Sequence, residues 1–232
     1  MHRDPHDLPI TTVSAEAAAH FGEGLKLMLS AWPGPAAAFR AAIAADPEFA
    51  LAHVALARAE AMAGHADIAR DRILTAQTLA AANGTERERS HVAVIAMAMA
   101  GRTQAALEAA LAHADRWPRD VVILSLPMGA FGLFAFSGMA DHDQARTALC
   151  ERHAARFGED DWWFLTTYGW ALSEDGQASR GRPMVEEAFR LRRANANTVH
   201  ALAHALWEGG ASQDAEGLIA EWLPTYDPSG VL

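Results

Sequence analysis

Apolar residues recur along this chain at the spacing of helices. Two stripes show the pattern most clearly, because their members fall on one helix face: Phe49, Ala52, Leu56, Ala59 and Ala63, and Leu107, Ala110, Leu111 and Ala114. Strict alternation of apolar and polar positions, which is typical of half-buried strands, is absent. The pattern therefore predicts an all-α protein of about eleven helices.

Polar residues mark where several helices begin. Ser14 and Asp161 are predicted N-caps, each standing directly before an apolar helical segment. Asn197 or Thr198 is expected to cap a later helix in the same way. The acidic run at residues 159–161 suits the positive end of a helix dipole, so we expect it to be structural and not a cation site.

Glycines divide the helices into pairs. The glycines that close an apolar helix are Gly64, Gly101, Gly138, Gly176 and Gly210, at successive spacings of 37, 37, 38 and 34 residues. A tetratricopeptide unit is about 34 residues long. The spacing therefore predicts a tetratricopeptide-like solenoid, an α-α superhelix, with residues 1–232 forming a single domain.

One segment has the length of a membrane span. Residues 121–140 contain no charged side chain, but they include Pro127 and three glycines. Proline and glycine interrupt helices, so we expect a buried repeat helix kinked at Pro127 and no membrane association.

Charge and cysteine usage exclude some functions. The formal net charge is −10 over 232 residues, and neither half of the chain is basic, so we expect no nucleic-acid binding. The polar amino terminus has no secretory signal pattern. Cys150 is the only cysteine and cannot form an internal disulfide, so a cytoplasmic location is expected. We also expect Cys150 to be a small buried residue and not a thiolate activated by His153.

Several motifs resemble a specific family. They are Arg3-Asp4-x-His6-x-x-Pro9-Ile10-Thr11-Thr12-x-Ser14, Thr85-x-Arg87-Glu88-Arg89-x-His91-Val92, Pro118-Arg119-Asp120, Tyr168-x-x-Ala171-Leu172-x-Glu174-x-Gly176 and Val199-His200-Ala201-x-Ala203-His204. Together they resemble the amino-terminal half of the tetratricopeptide repeat protein 38 family, almost from end to end. The resemblance implies a helical-repeat fold and no particular reaction.

The chain departs from that family at three places. Trp207 stands where the family has Glu, with Glu208 one position later, and Pro127-Met128 replaces an expected Ala-His pair. The family also continues past a position like Leu232 into a second half with a His-rich helix. The resemblance therefore implies that this chain lacks part of any site completed there.

The His-x-x-x-His motif is the main candidate for chemistry. His200, His204 and Glu208 are spaced i, i+4 and i+8 on one helix face, and two imidazoles so placed can chelate a divalent cation such as Zn²⁺. Further ligands would come from another helix, and the candidates are His20, His53, His91, His113 and His153. The alternative is that these histidines are hydrogen-bonded core or groove residues. We expect no cofactor other than a divalent metal.

Aromatic residues suggest a binding surface. The densest patch is Trp162, Trp163, Tyr168 and Trp170, followed by Trp207 and Trp222. Such residues either pack between helices or line the concave face of a solenoid. The residues predicted to line a ligand groove are Trp162, Tyr168, Asn195, Asn197, His200, His204 and Trp207.

Two functions follow from these features. The first is a scaffold whose groove binds a peptide or another protein. In one form of this hypothesis the chain forms a homodimer through an open carboxy-terminal end. The alternative is a metal- or small-molecule-binding enzyme that uses the His200/His204 helix and is completed by a missing carboxy-terminal half. The sequence favours the binding protein, since no reaction centre is assembled by its motifs.

Overall fold

The computed structural model describes residues 2–230, and these are almost wholly helical. Its twelve α-helices within those residues are α1 (Ala15–Leu29), α2 (Pro35–Ala45), α3 (Ala50–Met62), α4 (Ala66–Asn83), α5 (Glu86–Met99), α6 (Thr103–Arg116), α7 (Val121–Met128), α8 (His142–His153), α9 (Trp162–Glu174), α10 (Ala178–Leu191), α11 (Ala196–Glu208) and α12 (Ser212–Trp222). Short 3-10 helices follow α8 at Ala154–Arg156 and α12 at Leu223–Thr225. Two short strands, β1 (His2–Arg3) and β2 (Pro9–Ile10), pair antiparallel with His2 opposite Ile10. The all-α prediction is confirmed, with one helix more than expected.

Tertiary contacts divide the described chain into two compact units. The first comprises residues 2–28 and 33–126, and the second comprises residues 29–32 and 127–230. In the first unit, each of α2 to α5 contacts the next helix and α3 also contacts α5. In the second unit, each of α8 to α11 contacts the next helix and α9 also contacts α11. Contact between consecutive and alternate helices is the packing of a helical solenoid. The prediction of one domain stays a prediction.

The repeat glycines end helices in the left-handed conformation. Gly64 has a φ of 82°, and the His65 amide beyond it donates to Glu60 O at 2.9 Å, which satisfies a terminal carbonyl of α3. Equivalent bonds end α5, α9 and α11, and they are Arg102 N to Met97 O, Gln177 N to Leu172 O and Ala211 N to Leu206 O. Gly138 also has a positive φ, 79°, but it lies in a turn and closes no helix.

The charge-free segment does not form one long helix. α7 ends at Met128, one residue after Pro127, and residues 129–141 follow as turns. Phe131 in those turns is 89% exposed. The prediction of a single buried helix over residues 121–140 is therefore wrong, because the proline and the glycines stop the helix after two turns. Among the described residues, no helix is both long and apolar enough to cross a bilayer.

Two of the three predicted caps are confirmed. The Ala17 amide donates to Ser14 Oγ at 3.1 Å, and the Phe164 amide donates to Asp161 Oδ1 at 3.0 Å. The third, at Asn197 or Thr198, is wrong, because α11 begins at Ala196, three residues before Val199. Asn195 is its N-cap, and its Oδ1 accepts from the Thr198 amide at 3.1 Å.

Helix α11 rests on an apolar base. Six buried residues from α9 to α12 form one cluster beneath it: Trp170, Val185, Ala201, Leu202, Leu206 and Ala215. Near its start, Trp222 packs against Trp32 and donates its indole N–H to Arg193 O at 2.9 Å. Because both ends are held in this way, the outward-facing residues of α11 have a fixed support.

Glycines also let α9 and α10 approach closely. A Cβ added at Gly181 would overlap Gly169 O and would lie 2.7 Å from Ser173 Oγ. A Cβ added at Gly169 would in turn meet Gly181 O at 2.8 Å. The backbones of the two helices are therefore nearly in contact, which places α9 and its last residue, Glu174, against the rest of the second unit.

Gly181→Ala is expected to lower the free energy of unfolding by about 1–3 kcal/mol, because α9 and α10 must separate to accept the methyl group. The control is Gly217→Ala in α12, where an added Cβ meets nothing within 4 Å. That change should raise the free energy of unfolding by about 0.5–1 kcal/mol, since alanine is the better helix former. Urea unfolding measures both, and equal stabilities for the two variants would contradict the close approach.

Candidate functional site

The first candidate is a buried polar cluster in the first unit, centred on Asp120. Arg87 Nη1 donates to Asp120 Oδ2 at 2.7 Å, and His113 Nε2 lies 3.2 Å from the same oxygen. His91 Nδ1 lies 3.1 Å from Oδ1 and 3.0 Å from Oδ2. None of these four side chains is more than 6% exposed. We call Asp120, Arg87, His91 and His113 the Asp120 cluster.

Local structure places the members of the cluster. Thr85 and Glu88 form a reciprocal capping box that fixes the start of α5, so Arg87 and His91, four residues apart, share a helix face. His113 lies in the last turn of α6, and Asp120 immediately precedes α7. The turn between α6 and α7 therefore carries the carboxylate back to α5.

Neighbouring groups keep the carboxylate ionised. Burial alone would raise the pKa of Asp120, but the charge of His91, hydrogen bonds from His113 and His91, and the charge of Arg87 hold it well below its ordinary value of 3.8. Burial lowers the pKa of His113 below 6.5. The neutral imidazole accepts from the Ser90 hydroxyl at Nδ1, 2.8 Å away, which assigns its Nε2–H to Asp120.

The same region anchors the amino-terminal arm, residues 2–13. Arg87 Nη2 donates to Pro9 O at 2.9 Å, and Arg119 Nε donates to His6 O at 2.9 Å. Thr11 donates from its amide and its hydroxyl to Glu88 Oε1, at 2.9 and 3.1 Å. Three motifs of the sequence, at residues 3–14, 85–92 and 118–120, therefore meet at one place.

The chemistry of the Asp120 cluster favours an anchor over a metal centre. Ligand atoms of His91, His113 and Asp120 lie within 4.8 Å of one another, which is close enough to share a cation. The carboxylate is already neutralised by Arg87, however, and both imidazoles point at it. A divalent cation would have to displace a buried guanidinium, which is strongly unfavourable.

The second candidate is an open groove between α11 and α12 in the second unit. Its volume is about 650 Å³, and the residues that line it are Ala203, His204, Trp207, Glu208, Ser212, Ala215, Glu216, Ile219 and Ala220. Trp207 is 63% exposed. The surrounding sequence is acidic, because residues 194–232 contain five Asp or Glu and no Lys or Arg. We call this the α11–α12 groove.

A histidine pair lies beside the groove. His204 Nδ1 is 2.6 Å from Glu174 Oε1 of α9, and the His200 and His204 rings stack with centroids 4.7 Å apart. Burial and the charge of His204 lower the pKa of His200, which Glu174 partly offsets. A neutral His204 that donates Nδ1–H to the carboxylate keeps a lone pair on Nε2.

The predicted ligand residues do not all meet. His204 and Trp207 line the groove, whereas His200 is not among its lining residues and stacks on the His204 ring. The remaining four residues lie apart from the groove. Asn195 is fully buried as a helix cap, and Asn197 donates to Leu29 O at 2.9 Å. Tyr168 lies near Glu151, and Trp162 lies beneath the Arg192 guanidinium. Their role in ligand binding stays a prediction.

The predicted metal ligands are distributed differently from expectation. Within residues 2–230, the three ligand atoms that lie within 4.8 Å of one another belong to the Asp120 cluster and not to His200, His204 and Glu208. Sequence reasoning missed Glu174 as the partner of His204. Glu174 is the last residue of α9, two residues before Gly176, and only helix packing brings it to α11.

Cys150 is buried, and burial raises the pKa of its thiol. This confirms the expectation of a small core residue, because an activated nucleophile requires a lowered thiol pKa.

No protein-family model matches the chain, and no curated protein is significantly similar to it. The resemblance to the tetratricopeptide repeat protein 38 family stays a prediction, and the candidate sites are interpreted from their geometry.

Asp120→Asn is expected to lower the free energy of unfolding by about 3–5 kcal/mol, because it leaves Arg87 buried without its counter-charge. Asp67→Asn is the matched control, since Asp67 pairs with Arg70 at 2.9 Å on the exposed surface of α4. It should cost no more than about 1 kcal/mol. Chemical denaturation measures both variants, and a similar small cost for each would show that the Asp120 cluster is not an anchor.

His113 is expected to make stability pH-dependent. The pKa of His113 is lowered in the folded state. Its contribution to the free energy of unfolding is therefore complete above its ordinary pKa of 6.5 and is lost as pH falls below that value. Unfolding therefore takes up a proton in acid. His113→Gln should reduce the slope of unfolding free energy against pH below about 6.5 by up to about 1.4 kcal/mol per unit. His20→Gln, on the surface of α1, serves as the control; parallel curves for wild type and His113→Gln would contradict the prediction.

Proposed function

We propose that this chain is a protein-binding helical-repeat module whose α11–α12 groove holds a basic, amphipathic helical segment of a partner. One observation carries the proposal. An exposed tryptophan, Trp207, borders an apolar groove formed by a stretch of sequence, residues 194–232, that contains five acidic residues and no Lys or Arg.

The apolar part of the groove suits anchor side chains. Trp207 and Ile219 present large apolar surface from adjacent helices, and Ala203, Ala215 and Ala220 keep the floor between them shallow. An amphipathic helix binds such a groove by inserting residues from one face. Tryptophan is enriched among the residues that contribute most to protein–protein binding.

The acidic rim selects the charge of the partner. Glu208 and Glu216 line the groove itself, and Asp214 and Glu221 lie elsewhere on α12. A segment with Lys and Arg around its apolar face would be attracted, whereas an acidic segment or a nucleic acid would be repelled. This charge supports a basic partner and agrees with the expectation of no nucleic-acid binding.

The groove is formed before any partner arrives. The buried cluster beneath α11 and the Asn195 cap hold the helix in place, and Trp222 fixes the end of α12. Preformed surfaces lose little conformational entropy on binding. That rigidity supports recognition as the role of the second unit.

The alternative function, an enzyme using the His200/His204 helix, has one observation in its favour. The His204–Glu174 pair orients an imidazole beside the groove. That geometry supports binding of a cation, while the reaction of such an enzyme stays a prediction. A cytoplasmic location is likewise proposed, with the buried free thiol of Cys150 in its support.

Binding can be tested with labelled amphipathic Leu/Lys and Leu/Glu helical peptides and fluorescence anisotropy. The Leu/Lys peptide should bind, and Trp207→Ala should weaken it by about 30-fold, the loss of one dominant contact. The double substitution Glu208→Gln/Glu216→Gln should also weaken binding of the Leu/Lys peptide. This loss of affinity should be larger in low salt than in high salt. Leu74→Ala is the control, because Leu74 is a similarly exposed apolar residue on α4.

Two results would contradict this function. One is equal binding of both peptides, and the other is equal affinity of Trp207→Ala and Leu74→Ala. Sedimentation of the free protein covers the predicted homodimer: a concentration-dependent dimer that Trp207→Ala abolishes would make a second copy, and not a basic helix, the occupant of the groove.

A further inference from the structure

We infer that His200 and His204 form a divalent-cation site at the edge of the α11–α12 groove, with Glu174 as the residue that positions His204. The chemistry is that of Zn²⁺ or a similar ion that imidazole binds well. The inference stands on this histidine pair and does not depend on which peptide the groove holds.

The hydrogen bond to Glu174 prepares His204 as a ligand. Its Nδ1 lies 2.6 Å from Glu174 Oε1, and because a carboxylate only accepts, Nδ1 carries the proton; the neutral form of this imidazole then has its lone pair on Nε2. Histidines that bind metal almost always donate their other ring N–H to a carboxylate or carbonyl, which fixes the ring and raises its basicity. Glu174 therefore supplies the outer partner that a metal-binding imidazole requires.

His200 supplies the second imidazole from the same helix face. The two rings are nearly parallel, 15° apart, with centroids separated by 4.7 Å. Two nitrogens on one tetrahedral Zn²⁺ lie roughly 3.3 Å apart for bonds of about 2.05 Å. Histidine χ2 is a broad torsion, so rotation of the His200 ring can bring its nitrogen toward His204 Nε2 while the Glu174 hydrogen bond is kept.

The pair is open to ions and lies in a negative surrounding. The His204 side chain is 40% exposed, so an ion can reach it from solvent. Glu208, one turn beyond His204, lines the same groove and adds negative charge. The Arg146 guanidinium interacts electrostatically with Glu174, but it also forms an ion pair with Asp143. The cation would complete its coordination with water.

Two other histidine–carboxylate pairs in the chain show what distinguishes this one. His65 Nδ1 lies 2.7 Å from Glu60, but that carboxylate also binds Arg40, and His65 has no second histidine one turn away. In the Asp120 cluster, Arg87 neutralises the carboxylate. Only the His204 pair combines an oriented imidazole, an adjacent imidazole and exposure among the described residues.

The test is a titration of untagged protein with Zn²⁺ by isothermal calorimetry near neutral pH. Wild type should show one saturable site, and His200→Ala and His204→Ala should each weaken it at least tenfold. Glu174→Ala should weaken it by about 10- to 100-fold, the usual effect of losing an outer partner. His65→Ala is the matched control and should leave the affinity unchanged.

NMR separates positioning from a general structural effect. Long-range ¹H–¹⁵N spectra should show wild-type His204 as the Nδ1–H tautomer without metal, and Glu174→Ala should convert it to the Nε2–H form while the fold, followed by circular dichroism, is retained. The inference is overturned by any of three results: no saturable Zn²⁺ binding, equal losses for His204→Ala and His65→Ala, or an Nε2–H tautomer in the wild type.

Discussion

The burial of one carboxylate, Asp120, organises the first unit. An ionised group in the interior is tolerated only when it is paired and hydrogen-bonded, and Arg87, His91 and His113 meet that requirement together. Arg87 extends the effect, because its other nitrogen holds the backbone of the amino-terminal arm at Pro9. One charge thus joins α5, α6, the turn before α7 and the arm, so the arrangement of these four segments depends on the pairing being complete.

The second unit uses a histidine–carboxylate pair with a different outcome. Glu174 meets His204 at a partly exposed position, and no arginine hydrogen bond to Glu174 is present in residues 2–230. The carboxylate therefore orients the imidazole without consuming its second nitrogen. A histidine–carboxylate pair is a structural anchor in the Asp120 cluster, where it is buried and paired with arginine. The pair of His204 and Glu174 is a candidate binding site, because it is partly exposed and has no arginine hydrogen bond within the described chain. Solvent exposure and the lack, among the described residues, of an arginine hydrogen bond to the carboxylate make that difference.

The groove beside this pair depends on packing beneath it. Helix α11 presents His204 and Trp207 outward because its opposite face, including Leu202 and Leu206, is buried in the cluster that α9, α10 and α12 share. Direct packing of α9 on α11 places Glu174 beside His204. A binding surface and an oriented imidazole are therefore consequences of the same helix arrangement.

The sequence by itself determined the helical class, the turns at Gly64, Gly101, Gly176 and Gly210, and the burial of Cys150. These are local properties, since helical periodicity and left-handed glycine turns are encoded within a few neighbouring residues. It also marked His200 and His204, which lie one turn apart. Tertiary structure alone decided that Asp120 meets Arg87, 33 residues away, and that Glu174 meets His204, 30 residues away. It likewise ended α7 early and left Trp207 exposed. Such pairings arise from which helix faces are buried together, and a single sequence contains no direct signal of that choice.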